Sequence, residues 1–221
     1  MATLVKICGI TSTDAADAAL RAGVEFAGLM FHPKSPRNLA PDQAHALAVR
    51  LRGRTQIVAV LADASDETIA GVNAIVRPDF IQLHGAETPE RVAAIRARFQ
   101  VKLIKVVQVA EAADLGGLAA YEDNADMFLF DAKAPSGAER EGGHGAAFDW
   151  KILSGRTIRR PWLLAGGLNP ENVGRAIHAS GAPGVDVSSG VETSPGVKSA
   201  SLIADFVAAV RGAQFKSGAA A

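Results

Sequence analysis

Leu4-Val5-Lys6-Ile7-Cys8-Gly9-Ile10-Thr11 opens the chain, and the repeating unit it begins decides the fold. Residues 4 to 8 are apolar and β-branched with a glycine at the exit, the pattern of a short buried strand. Thr13-Asp14 then starts a helix over Asp14 to Ala22 that closes at Gly23. The same unit recurs along the chain. Strands are read at Phe26 to Phe31, Gln56 to Leu61, Phe80 to Leu83, Lys102 to Val107, Met127 to Phe130, Trp162 to Ala165 and Gly184 to Val187. Helices are read at Pro41 to Arg52, Asp66 to Val76, Thr88 to Phe99, Pro170 to Ala179 and Ser199 to Val210, with a short one near Trp150 to Leu153. A further helix over Glu111 to Tyr121 is interrupted by Gly116-Gly117.

Strands alternating with helices build a parallel sheet, and eight such units spread over the whole length predict one closed single-domain (β/α)8 TIM barrel. An open doubly wound sheet is the alternative. No linker or low-complexity spacer divides residues 1–215, and 216–221 read as a disordered tail of small residues.

Of 221 residues, 48% are apolar and 21% charged, enough for a sizeable core. The 23 basic residues balance 23 acidic ones, so no overall field draws in nucleic acid or an anionic membrane. One cysteine excludes an intrachain disulfide, and no apolar run is long enough to span a bilayer. The expectation is a soluble cytoplasmic protein, a monomer or else a homodimer, acting on a small molecule.

In such a barrel the functional groups sit at the C-terminal ends of the strands. Side chains alternate along a strand, so Lys6 and Cys8 share one face of the first. Other strand ends offer His32 with Arg37, Gln82 and His84, Lys105 with Gln108, Asp131, and Asp186. Each has a plainer reading. Cys8 alone would be a small buried hydrophobe, Asp131 a helix cap, Arg37 a solvated surface group and His84 a structural hydrogen-bond partner. Several polar groups converging on one rim is more than core packing requires. The last two strands exit into Gly166-Gly167 and Ser188-Ser189-Gly190, where barrels often hold phosphate on backbone N–H groups. Gly143 and Gly145 of the sixth loop are read as joining them. No spacing of His, Cys, Asp or Glu predicts a metal site.

The chain resembles the phosphoribosylanthranilate isomerase family of tryptophan biosynthesis. The resemblance is carried by Lys6-Ile7-Cys8-Gly9-Ile10-Thr11, Phe31-His32-Pro33-Lys34-Ser35-Pro36-Arg37, Gln82-Leu83-His84-Gly85 and Phe130-Asp131, then by the segments Leu164 to Val173 and Gly184 to Glu192. One departure is His144, where the family pattern has a small hydroxylic residue. The resemblance implies an Amadori rearrangement of N-(5-phosphoribosyl)anthranilate, with Cys8 as general base and Asp131 as general acid. It places the anthranilate carboxylate on Arg37, the substrate's other polar groups on His84, Asp186 and Lys6, and the phosphate on the glycine and serine loops. No cofactor or metal is implied, because the iminium formed in the reaction is its own electron sink. Lys6 is expected to lower the pKa of Cys8. The competing readings are a related ribose isomerase of histidine biosynthesis, for which an aspartate at position 8 would be the cue, a Schiff-base aldolase using Lys6 or Lys105, and a catalytically silent sugar-phosphate-binding barrel.

Overall fold

The computed structural model describes residues 2–133 and 148–217. Eight parallel strands close into a barrel in chain order: β1 (Leu4–Cys8), β2 (Phe26–Met30), β3 (Gln56–Leu61), β4 (Phe80–Leu83), β5 (Lys102–Val109), β6 (Met127–Ala132), β7 (Trp162–Leu164) and β8 (Gly184–Val187). Closure is made by β1 pairing with β8, with Lys6 opposite Asp186. Outside lie α1 (Thr13–Arg21), α2 (Pro41–Leu51), α3 (Asp66–Val76), α4 (Pro89–Phe99), α5 (Val173–Ser180) and α6 (Ala200–Ser217).

The period-two alternation of the strands sorts their side chains into two apolar cores. Phe26, Val58, Val60, Phe80, Ile104, Val106, Met127, Leu129 and Leu163 fill the barrel interior beneath Cys8. Val5, Ile7, Ala27, Leu29, Ile81, Phe128 and Phe130 face outward against the helices. Helix starts follow their sequence signals: the side chains of Ser12, Ser65 and Thr88 cap α1, α3 and α4. A second device repeats at the N-terminal face. The acids just before β2, β4 and β6 (Glu25, Asp79 and Asp126) accept from the backbone N–H groups of Val5, Ile57 and Leu103 in the preceding strands. Backbone donors of buried strand residues at the bottom of the barrel are thereby satisfied.

Three expectations are corrected. The helix over Glu111 to Tyr121 is two 3-10 turns, Ala112–Leu115 and Leu118–Tyr121, because the glycine pair divides a segment already too short to propagate. Helix α5 begins at Val173 rather than Pro170, since the side chains of Asn169 and Asn172 bond the intervening backbone into a turn. Lys216 and Ser217, expected in the tail, close α6; residues 218–221 lie outside the described residues. One element has no counterpart among the sequence expectations, a hairpin of Glu192–Ser194 and Val197–Lys198.

Lys105, expected at the rim, lies within β5 and faces outward. Its ammonium donates to Glu87 Oε2 at 2.6 Å and to the Gly85 carbonyl at 2.7 Å, with both side chains buried. Glu87 Oε1 in turn accepts from the N–H groups of Asp63 and Gly85. The pair therefore ties the loop after β3 to the loop carrying His84. Lys105→Met should lower unfolding stability by about 3–5 kcal/mol, because it strands a buried carboxylate. Adding Glu87→Gln should recover part of that loss. Urea melts of both variants check this; a single variant as stable as wild type would show that the pair does not hold the loops.

Candidate active site

One cavity opens at the C-terminal mouth of the barrel, lined by Cys8, Arg37, His84, Asp131, Gly166, Gly167, Asp186, Ser188 and Ser189. The sequence-predicted groups from strands one, two, four, six, seven and eight are thus brought to one place. Gly143, Gly145 and His144 lie outside the described residues. Two further expected contacts are not on the cavity wall. Lys6 has no exposed surface and sits beneath, its ammonium 2.9 Å from Asp186 Oδ1. It can reach a ligand only through Cys8 and Asp186. Gly190 stands behind the wall, where a Cβ would fall 1.9 Å from the Leu168 carbonyl oxygen. Its lack of a side chain lets the loops after β7 and β8 touch.

The floor holds the thiol. Gly28 on β2 leaves the space beside it, since a Cβ there would lie 3.1 Å from Cys8 Sγ and 3.3 Å from Lys6 Nζ. Burial pushes the Cys8 thiol above its ordinary value. The Lys6 ammonium pulls it down, the direction expected of it, and Asp186 pushes it up again, with the thiol left above its ordinary value. Desolvation outweighs the neighbouring cation. For Lys6 burial also opposes the charge, but Asp186 and Cys8 outweigh it and hold the ammonium above its usual range.

On the far wall Asp131 Oδ1 accepts from the N–H of Ala132 at 2.9 Å. Its Oδ2 stands 3.4 Å from His84 Nε2, just short of a hydrogen bond. Gln82, buried inside β4, donates from Nε2 to His84 Nδ1 at 3.0 Å. With the Gln82 amide donating, the imidazole carries its proton on Nε2, the nitrogen beside the Asp131 carboxyl. Arg37 is not free: its Nε and Nη2 both donate to the Glu192 carboxylate at 2.7 Å. This fork fixes the plane of the guanidinium and leaves Nη1 unengaged by Glu192.

Gly166 and Gly167 turn the chain with φ of 88° and 63°, a region that favours glycine. A Cβ on Gly166 would meet the Ala132 backbone nitrogen at 2.6 Å. Among the described residues neither glycine donates its backbone N–H to a carbonyl. In the loop after β8 the Ser188 hydroxyl donates to the Cys8 carbonyl at 3.1 Å, which binds the glycine-serine loop to the thiol-bearing strand. Glu192, Lys198 and Gly28 belong to the site although the sequence does not single them out as functional. Of the three, only Gly28 carries a signal, since a glycine inside an apolar strand marks close approach. Among the described residues no group of three His, Cys, Asp or Glu could hold a metal ion, and no helix is long and apolar enough to cross a membrane.

The closed barrel, with a thiol and a carboxyl on one mouth beside two glycine-bearing loops, defines a (β/α)8-barrel enzyme of the acid–base type. Residues 5–209 match the family model described as N-(5′-phosphoribosyl)anthranilate (PRA) isomerase. The chain belongs to that family. A relative from Paramagnetospirillum magneticum, named N-(5′-phosphoribosyl)anthranilate isomerase, is 50% identical over 208 residues, covering 94% of this chain and 97% of its own. The crystal structure of phosphoribosyl anthranilate isomerase from Thermotoga maritima superposes with a TM-score of 0.85 at 36% identity, covering 95% of this chain and 99% of that one. A phosphoribosyl anthranilate isomerase in complex with reduced 1-(o-carboxyphenylamino)-1-deoxyribulose 5-phosphate gives 0.81 at 33% identity over the same shares.

Proposed function

We propose that this chain converts N-(5′-phosphoribosyl)anthranilate to 1-(2-carboxyphenylamino)-1-deoxyribulose 5-phosphate, with Asp131 as general acid and Cys8 as general base. The observation that carries this reading is that the thiol and the carboxyl line one cavity with the glycine and serine loops beside them.

Asp131 gives its proton to the ribose ring oxygen as the C1′–O bond breaks, and the anthranilate nitrogen supplies the electron pair that forms the iminium. His84 Nε2–H meets the carboxylate left on Asp131. Cys8 then removes the hydrogen at C2′, and the electrons of that C–H bond move toward the iminium to give an enolamine. The Cys8 thiol returns its proton to C1′, the Asp131 carboxylate takes the proton of the C2′ hydroxyl, and the ketone results with both groups restored. C1′ is reduced as C2′ is oxidised, so the step balances within the substrate. The iminium brings positive charge beside Cys8 only after ring opening. Thiolate is therefore favoured at the step that uses it, which offsets the burial that disfavours it at rest.

Substrate placement follows from charge and shape. Arg37, held by Glu192, offers its remaining edge to the anthranilate carboxylate. Asp186 accepts from a sugar hydroxyl while Lys6 balances its charge. Gly166, Gly167, Ser188 and Ser189 take the phosphate, far enough from C1′ and C2′ to orient the pentose between acid and base. Every group named comes from one chain, so a monomer would be competent.

The test is a fluorescence assay with freshly generated substrate. Wild type should turn it over, and a folded protein with no turnover would sink the reading. In Arg37→Ala, KM should rise about tenfold to a hundredfold, the worth of a charged hydrogen bond, with a smaller fall in kcat. An unchanged KM would remove the carboxylate from Arg37.

A further inference from the structure

The hairpin Glu192–Lys198 after β8 is small, yet it reaches the loops after β1 and β2 and the strand that carries the thiol. Lys198 Nζ is fully buried and donates to Glu192 Oε1 at 2.6 Å, to the Ser188 carbonyl at 3.1 Å and to Ser188 Oγ at 3.2 Å. Ser188 Oγ passes the contact on to the Cys8 carbonyl. Glu192 passes it to Nε and Nη2 of Arg37. At the hairpin tip the Gly196 carbonyl accepts from Thr11 Oγ1 at 2.7 Å, and a Cβ on Gly196 would press on the Pro36 carbonyl oxygen at 2.9 Å. The hairpin is thus fastened to both neighbouring loops as well as to its own strand.

The charges in this cluster do not cancel. Lys6, Arg37 and Lys198 are cations, against the carboxylates of Asp186 and Glu192. The groups acting on Cys8 are Lys6 on its own strand, Asp186 on β8, Lys198 on the hairpin and Arg37 from the loop after β2; Gly28 on β2 brings no charge. A thiolate at Cys8 completes the balance. Burial holds the Lys198 ammonium below its usual range, with Glu192 and Cys8 favouring the charge and Arg37 opposing it.

We propose that Lys198 is a positioning residue for the base: its buried ammonium, tied to Ser188 and Glu192, fixes the exit of β1 and supplies positive charge behind Cys8 as the thiolate forms. The proposal rests on Cys8 being the general base. Loss of the ammonium should cost kcat more than KM. It should also move the acid limb of the pH profile upward, because removing a cation makes the thiolate harder to form.

The test uses Lys198→Gln and Lys198→Met, which remove the charge, and Lys198→Arg, which keeps it. Thermal melts confirm which neutral variant is folded, and that one is assayed. At neutral pH its kcat should fall about tenfold to a hundredfold, the scale of a misplaced catalytic group, and the deficit should shrink as pH rises. The arginine variant should keep the wild-type limb. In parallel, the rate of Cys8 alkylation by iodoacetamide against pH reads the thiol directly, and its midpoint should rise in the neutral variant. A midpoint and limb unmoved in the neutral variant, or moved equally in the arginine variant, would overturn the proposal. The parent reading fails separately: if Cys8→Ser keeps the wild-type kcat, Cys8 is not the base, whatever Lys198 does.

Discussion

Asp131→Asn is expected to lower kcat by about 10³-fold, within the range that a positioned general acid contributes, while KM changes little. The variant is close to isosteric, and the side-chain oxygen can still accept from the Ala132 N–H that Oδ1 meets at 2.9 Å. The wall of the cavity is thereby preserved, while the amide nitrogen takes the place of Oδ2 opposite His84 Nε2. What is lost is a proton that can be given to the ring oxygen. Steady-state assays on freshly generated substrate give kcat, and fluorescence titration with product gives affinity. A kcat within tenfold of wild type would mean that another group delivers the proton. A loss seen only as a higher KM would make Asp131 a binding residue.

Cys8→Ser should cost kcat by a similar factor of about 10³, for a different reason. The hydroxyl occupies the same place beside Gly28 but does not ionise near neutral pH, so the C2′ hydrogen has no base. Cys8→Ala should be no more active than the serine variant. Substrate affinity should survive in both, since the phosphate loops and Arg37 are untouched and the bond from Ser188 goes to the backbone of residue 8. An alanine variant as fast as wild type would remove sulfur from the mechanism.

The barrel is legible because its strands are short apolar runs at even spacing, most of them followed by a helix with a clear start signal. Placing Lys6 and Cys8 on one face needs only the two-residue period of β1, and both do point inward. The net effect of Lys6 on the thiol is not legible. It depends on how completely the floor is desolvated, which is set by Phe26, Val58 and their neighbours from other strands. The hairpin escapes detection because strands of three and two residues carry no periodicity; only Pro195-Gly196 marks a turn. Its partner Arg37 lies 155 positions from Glu192, so the fork between them leaves no local trace. Lys105 misleads because its place near the end of the apolar run suggests the rim, whereas it falls between Ile104 and Val106, which point into the barrel, and so turns outward toward Glu87.

The central claim divides the work between two groups, with Asp131 opening the ring and Cys8 breaking the C2′–H bond. Substrate carrying deuterium at C2′, made from anthranilate and labelled ribose 5-phosphate, separates the two steps when its isotope effect on kcat is measured in Cys8→Ser and in Asp131→Asn. The division predicts a large primary effect in the serine variant, where hydrogen removal limits the rate, and an effect near unity in the asparagine variant, where ring opening does. The reverse pattern, or equal effects in both, would contradict it.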